Sequence, residues 1–430
     1  VKAISCPAVL VSAPASGQGK TLVTAALARR WRNQGLKVVA FKCGPDFIDS
    51  MVLQAATGHP VYNLDLGMCG LEDGKAQLYR AAQTADVIVV EGVMGLYDGT
   101  PSTADIAKAF NLPVALAIDA SGMAQTFAAM AHGLYSFAPS LKRAGVIANK
   151  VGSTGHASML KDCLSTNTPW LGALIKDEQL CLPERHLGLH LAQEISGIDA
   201  RIEAAAQMLS DELPLPPMVS FEAPNQPVLT KPLTGKTIAI AQDAAFCFIY
   251  PANIDCLEAL GAKLVYFSPL NDPSLPEADA YWLPGGYPEL HLDSISQNSA
   301  MRSSLKQAVA TNKPILAECG GMMALGDNLN GLTTFAILEG NSQIQAKLQG
   351  LGTQHLTLSD SISDSSSPNN TIGAHTFHYG KFDTTMQPAY TATSRYGNGE
   401  AVYHQGCITA SFLHFYFPTN PALAANFFTS

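Results

Sequence analysis

Ala8-Val9-Leu10-Val11-Ser12-Ala13-Pro14-Ala15-Ser16-Gly17-Gln18-Gly19-Lys20-Thr21 decides the fold of the amino-terminal half. A short apolar run reads as a buried strand. It passes directly into a glycine-rich turn and then a helical pattern, TLVTAALARRWRNQG, which stops at Gly35. Strand, glycine turn and helix start, in that order, are the setting a phosphate-binding loop requires. Gly17 and Gly19 let backbone N–H groups turn toward phosphate oxygens, and the helix N-terminus favours negative charge. Lys20 reaches the terminal phosphates, and Thr21 can ligate Mg2+. Pro14 stands where the common pattern has its first glycine, so an ordinary strand-to-helix turn competes with this reading. The intact Gly-Lys-Thr at a helix start decides for the phosphate loop.

Outward from this loop, the runs KVVAFK, DVIVVEG, PVALAID and AGVIANK alternate with helical patterns, the rhythm of βαβ units on a parallel sheet. A doubly wound α/β domain is expected. Carboxylates at the carboxyl ends of neighbouring strands are the usual hard-oxygen supply for Mg2+. Asp46 and Asp49 follow KVVAFK, Glu91 ends DVIVVEG, and Asp98 lies a little beyond. Each alone reads equally well as a helix cap or turn acid, but their common placement favours a metal site.

Six prolines between Asp211 and Pro232 read as an extended linker, which divides the chain into 1–210, 211–233 and 234–430. Past it the alternation restarts with TIAIAQD, KLVYFSP, AYWLPGG and PILAECGG, so a second α/β domain is expected. The polar run SDSISDSSSPNNT reads as a mobile surface loop.

Within the second half, Pro314-Ile315-Leu316-Ala317-Glu318-Cys319-Gly320-Gly321-Met322 has the form of a nucleophile elbow with cysteine in place of serine. A tight turn exposes the sulfur, and the N–H of Gly320 is placed for an oxyanion hole. The turn Pro284-Gly285-Gly286-Tyr287 offers a second donor at Gly286. A thiol also needs a base, and His291, His355, His375, His378, His404 and His414 are all candidates. His414 is preferred for its place in the short β-rich segment ASFLHFYF. His186 and His190 stand four apart, but Gly188 weakens the helix between them and no third ligand is evident, so a metal reading is set aside.

Composition narrows the partners. The net charge of −9 argues against general nucleic-acid binding, which needs a basic excess. No apolar run approaches the ~20 residues of a membrane span, and the opening residues lack the pattern of a signal peptide, so a cytoplasmic protein is expected. Nine scattered cysteines with no CxxC spacing indicate neither a disulfide framework nor a zinc cluster.

In chain order SGQGKT, FKCGPDFID, EGVMGLYDG, NKVGSTGH, LPERHLGL, PGGYPEL, ECGGMM, HTFHYG and ASFLHFYF resemble the cobyrinate a,c-diamide synthase family over nearly the whole length. The resemblance implies a dethiobiotin-synthetase-like P-loop domain followed by a class I glutamine amidotransferase domain. It implies amidation of the a- and c-acetates of cobyrinic acid in cobalamin biosynthesis. It also implies that glutamine is hydrolysed at Cys319 with His414 as base, and that the ammonia attacks a carboxylate activated by ATP as an acyl phosphate. Ser16, Gly17, Gln18, Gly19, Lys20 and Thr21 then bind ATP, with Asn149 and Lys150 at the base. Thr21, Asp46 and Glu91 hold Mg2+, and Phe47, Asp49, Asp98 and His378 are expected near the tetrapyrrole.

This sequence departs from the family twice. The residue two after His414 is Tyr416 instead of glutamate, which leaves a backbone carbonyl or Ser411 to orient the imidazole. The family's GHEFHYS is here Ala374-His375-Thr376-Phe377-His378-Tyr379-Gly380, without the glutamate. Hydrogenobyrinic acid or nickel-sirohydrochlorin are alternative acceptors. A partitioning-type ATPase switch with a non-catalytic second module is the alternative from another class. No pattern fixes the oligomeric state, and a homodimer stays open.

Overall fold

The computed structural model describes residues 3–180, 184–185, 188–189, 195–225, 229–358, 370–395 and 397–429. His186, His190 and residues 359–369 of the polar run lie outside them. The chain divides into two compact units, Val1–Gln226 and Pro227–Ser430.

The first unit is built on parallel strands β1 (Ala3–Ser12), β2 (Val38–Cys43), β3 (Tyr62–Leu64), β4 (Val87–Glu91), β5 (Val114–Asp119), β6 (Arg143–Val151) and β7 (Trp170–Ile175). Their order across the sheet is β3-β2-β4-β1-β5-β6-β7. Side chains alternate along a strand, so Leu10 and Val90 enter one apolar layer while Val9, Val11 and Val89 enter the other. Both faces are covered, which is why these strands read as continuous apolar runs. Helix α1 (Lys20–Asn33) buries Val23, Leu27 and Trp31 against the second layer.

Met218–Glu222, inside the stretch read as linker, is a strand antiparallel to β1, with Ala3 opposite Glu222 and Pro7 opposite Met218. Its alternating VSF pattern buries Val219 and Phe221, a signal that the surrounding prolines obscured.

The second unit carries a ten-stranded mixed sheet. Its parallel part runs Lys263–Phe267, Thr237–Ala241, Ala280–Leu283, Ile315–Glu318 and Ile408–Ser411. An antiparallel part follows: Gly397–Gln405, Tyr390–Ser394, Gly350–Thr357, Thr371–His378 and His414–Tyr416. The α/β reading holds, while the antiparallel extension goes beyond the expected doubly wound pattern. Its strands mix polar and apolar residues on both faces, so no clean period marks them. Among the described residues no helix is long and apolar enough to cross a membrane.

Candidate active sites

In the first unit the parallel order places the carboxyl ends of β1, β2, β4 and β6 along one rim, and the phosphate loop leaves β1 there. Gly17 and Gly19 have φ of +76° and +79°, the left-handed region that glycine tolerates. At Gly19 a Cβ would also lie 2.2 Å from Asn149 Nδ2, so the position excludes side chains twice over. Asn149 donates to the Gln18 carbonyl at 2.8 Å, and Gln18 Oε1 accepts the Asp119 N–H at 2.9 Å. Lys150 pairs with Asp119 at 2.7 Å. Asn149 and Lys150 thus stand beside the loop, with Asp119 as a third member that the sequence reading did not single out.

Behind the loop, Thr21 Oγ1 donates to Glu91 Oε1 at 2.8 Å. Lys42 stands directly opposite Glu91 across β2 and β4, and its Nζ lies 3.1 Å from Glu91 Oε1 and 2.8 Å from Asp49 Oδ2. The sequence reading passed over Lys42 because it closes an apolar strand run with nothing local to mark it. Burial alone would lower its pKa, but Asp49 and Glu91 hold it above the ordinary lysine value. Burial pushes Glu91 up to about 7 against the pull of Lys42. Asp49 stays below the usual carboxylate range despite its burial, because Lys42, Thr21 and Lys20 favour its anion. Burial, with Lys42 nearby, lowers Lys20.

Asp46 has a different post. Its Oδ1 accepts the Asp49 N–H at 2.8 Å and caps the start of helix α2 (Ile48–Thr57), with Phe47 at the cap position. Burial, and then Asp49, raise its pKa to about 6. Asp98 Oδ2 accepts the Gly95 N–H at 3.1 Å, and its charge acts on Lys20. Asp49 and Asp98 therefore lie around the phosphate loop, while Phe47 stands at the start of α2.

In the second unit Cys319 has φ +46° and ψ −105° between strand Ile315–Glu318 and helix Gly320–Leu325. Positive φ at a non-glycine residue stores strain, and here it is placed at the elbow. A Cβ on Gly320 would lie 3.0 Å from Gly286 N, so the two glycine turns meet closely. A Cβ on Gly285 would lie 2.2 Å from His414 Cε1. The Cys319 N–H donates to Ser411 O at 2.7 Å, which brings the nucleophile's turn to the segment leading into His414. Cys319, Gly320, Gly286 and His414, which span residues 286 to 414, thus share one neighbourhood.

Burial raises the Cys319 thiol far above its ordinary value; Glu289 adds to this and the Gly320 N–H opposes it. Burial, then His375 and His378, lowers His414 to about 3. At rest the thiol is protonated and the imidazole neutral, and a neutral imidazole is the form able to accept a proton.

Two expectations change here. Ser411 does not wait on the imidazole: its hydroxyl donates to Ala401 O at 2.8 Å and accepts the Leu413 N–H at 3.2 Å. His378, expected near the tetrapyrrole, is buried and stacks on Phe412 at 3.7 Å, and both its ring nitrogens are engaged, Nδ1 with Gly380 O at 2.7 Å and Nε2 with Glu400 Oε1 at 2.9 Å. With no nitrogen left over, it serves the unit's interior. Thr376, where the family's glutamate is lost, donates to the same Glu400 oxygen at 3.0 Å, so the strand Gly397–Gln405, which is not paired with Thr371–His378, brings a carboxylate to this place.

Comparison with known proteins fits both sites. Residues 9–189 match the CobQ/CobB/MinD/ParA nucleotide binding domain, and residues 237–422 match the CobB/CobQ-like glutamine amidotransferase domain. Over 98% of each chain, the sequence is 49% identical to a hydrogenobyrinate a,c-diamide synthase of Stutzerimonas stutzeri. The chain belongs to the a,c-diamide synthase family. A second hydrogenobyrinate a,c-diamide synthase, from Pseudomonas aeruginosa, is 46% identical over 98% of this chain and 97% of its own. A cobyrinate a,c-diamide synthase of Herminiimonas arsenicoxydans is 45% identical over 98% of this chain and 96% of its own. The chain is a glutamine-dependent carbon–nitrogen ligase with a nucleotide-binding domain, and its work is amidation in cobalamin biosynthesis.

Proposed function

We propose that this enzyme amidates the a- and c-acetate carboxylates of cobyrinic acid, or of its cobalt-free counterpart hydrogenobyrinic acid, using ATP and glutamine in the cytoplasm. The first unit activates each carboxylate as an acyl phosphate, and the second releases ammonia from glutamine. The observation that carries this reading is the strained Cys319 elbow, with Gly286 N against Gly320 and His414 against Gly285. The relatives' names supply the acceptor class, because they act on these two substrates.

In the glutaminase the neutral His414 takes the Cys319 proton as sulfur attacks the glutamine amide carbon. The N–H groups of Gly286 and Gly320 receive the oxyanion. Collapse of the oxyanion breaks the C–N bond as His414 gives its proton to the leaving nitrogen, which departs as ammonia and leaves a thioester on Cys319. Water, its proton taken by His414, then adds to the thioester, and the C–S bond breaks to release glutamate and the thiol.

In the synthetase unit Ser16 to Thr21 cradle the phosphates, Lys20 offsets their charge, and Asn149 and Lys150 meet the base. The donor set suits Mg2+: Thr21 and Glu91 present hard oxygens, Glu91 Oε2 is buried without a hydrogen-bond partner among the described residues, and Asp49 adjoins both. When bound, Mg2+ neutralises charge on the transferred phosphoryl group. Asp46 supports this site by capping the helix that carries Asp49. Phe47, Asp49 and Asp98 are the first unit's candidates for the acceptor's surroundings.

Mass spectrometry of product from ATP, glutamine and each corrin tests the whole reading. Cys319→Ala is expected to abolish glutamine-supported amidation and leave ammonia-supported amidation intact, whereas Lys20→Ala abolishes both. Equal loss with both nitrogen donors for Cys319→Ala overturns the division of labour.

A further inference from the structure

The strand His414–Tyr416 ends the ten-stranded path and pairs antiparallel with Thr371–His378, with His375 opposite His414, Ala374 opposite Phe415 and Gly373 opposite Tyr416. Along such a strand the backbone groups of alternate residues point to opposite edges. Those of His414 and Tyr416 face the partner strand, so those of Phe415 face away from it, into the unit's interior. Two side chains, each 1% exposed, meet them there. Glu318 Oε1 accepts the Phe415 N–H at 2.8 Å. Asn253 Nδ2 donates to Phe415 O at 2.8 Å, and Asn253 Oδ1 accepts the Phe417 N–H at 2.8 Å. The second oxygen of Glu318, Oε2, accepts the Trp282 indole N–H at 2.9 Å.

Glu318 sits immediately before the nucleophile. The chain from Ser411 to Phe415 is therefore stitched to the elbow twice, through Cys319 N–H to Ser411 O and through Phe415 N–H to Glu318, and His414 lies between the stitches. A buried carboxylate is costly, and an apolar residue would fill the same space. What the carboxylate adds is a pair of acceptors for two N–H donors, one of them on the strand that carries the base.

We infer that Glu318 and Asn253 are positioning residues of the glutaminase, acting as a surrogate neighbour strand that fixes the backbone carrying His414 relative to Cys319. The inference rests on the assignment of Cys319 and His414 as nucleophile and base. It answers what steadies the base in a chain with Tyr416 where class I amidotransferases often carry the orienting glutamate. The clamp acts on the backbone of the base's strand and leaves the imidazole to its task.

The test measures glutamine hydrolysis and ammonia-supported amidation in the full-length Glu318→Gln and Asn253→Asp variants, with Cys319→Ala and His414→Ala as controls. Glu318→Gln turns one acceptor into a donor facing an N–H, and Asn253→Asp removes the donor to Phe415 O. Each is expected to lower kcat for glutamine hydrolysis on the order of 100-fold, the effect of a displaced catalytic group. The KM for glutamine stays within about threefold, since a group acting on the chemical step changes kcat. Ammonia-supported amidation stays at the wild-type rate. If Glu318→Gln does not fold, loss of the second unit's cooperative unfolding transition reports it, and Asn253→Asp alone decides. Unchanged kcat in the folded variants, or a rise in KM alone, overturns the positioning role. Full glutaminase activity in Cys319→Ala or His414→Ala overturns the underlying assignment instead.

Discussion

At the residue scale the chemistry depends on two groups whose ordinary titration is suppressed by burial. His414, lowered to about 3, is neutral in the folded enzyme, while the unfolded chain binds its proton below about 6.5. The sign follows from linkage. Between those values the unfolded state holds more protons, so this residue's contribution to stability is present above about pH 6.5 and is lost progressively as pH falls toward 3. Denaturant titrations at pH 7 and pH 5.5 are expected to differ by about 1 kcal/mol more in the wild type than in His414→Gln. Identical pH dependences would show that the imidazole is not held neutral. Cys319, raised by burial and Glu289, is expected to react with iodoacetamide slowly at pH 7 and about tenfold faster per pH unit thereafter. A plateau near pH 7 would instead reveal a standing thiolate.

At the scale of elements, the synthetase site depends on the register of β2 against β4, which sets Lys42 opposite Glu91. A one-residue slip of either strand would turn its side chain to the opposite face of the sheet from its partner's. Lys42 is 2% exposed and Glu91 is fully buried, so removing the cation leaves the carboxylates of Glu91 and Asp49 with a desolvation cost that Thr21 and Lys20 offset only in part. Lys42→Met is expected to destabilise the first unit by about 3–5 kcal/mol, as breaking a buried ion pair does. Denaturation followed by hydrogen exchange within β2 and β4 checks this, and a loss below about 1 kcal/mol would mean the pair is solvated.

At the scale of the whole molecule, each unit has its own apolar layers on both faces of its own sheet. A ligand that binds only one folded unit should therefore stabilise that unit by mass action. MgATP at about 100 times its Kd is expected to add ~2.7 kcal/mol to the first unit, and Lys20→Ala to abolish the gain. An unchanged thermal shift in Lys20→Ala would remove the phosphate loop from the nucleotide site. Glutamine hydrolysis by Lys20→Ala should persist, because Cys319 and His414 draw on contacts within the second unit.

By itself the sequence determined what is local. The phosphate loop, the elbow at Cys319 and the strand–helix alternation were legible because glycines at fixed offsets and periodic apolar runs follow from backbone geometry over a few residues. His414 needed the family resemblance, since a histidine carries no local mark of its role. Tertiary structure decided what depends on pairing across the chain. It set Lys42 against Glu91 and Asp49, closed both nitrogens of His378, made Met218–Glu222 a strand, and brought Glu318 and Asn253 to the backbone beside His414. The reason is physical: a buried polar group must find its partner wherever the fold places one, and that partner stands up to 183 residues away here, as in the Trp31 indole N–H with Pro214 O.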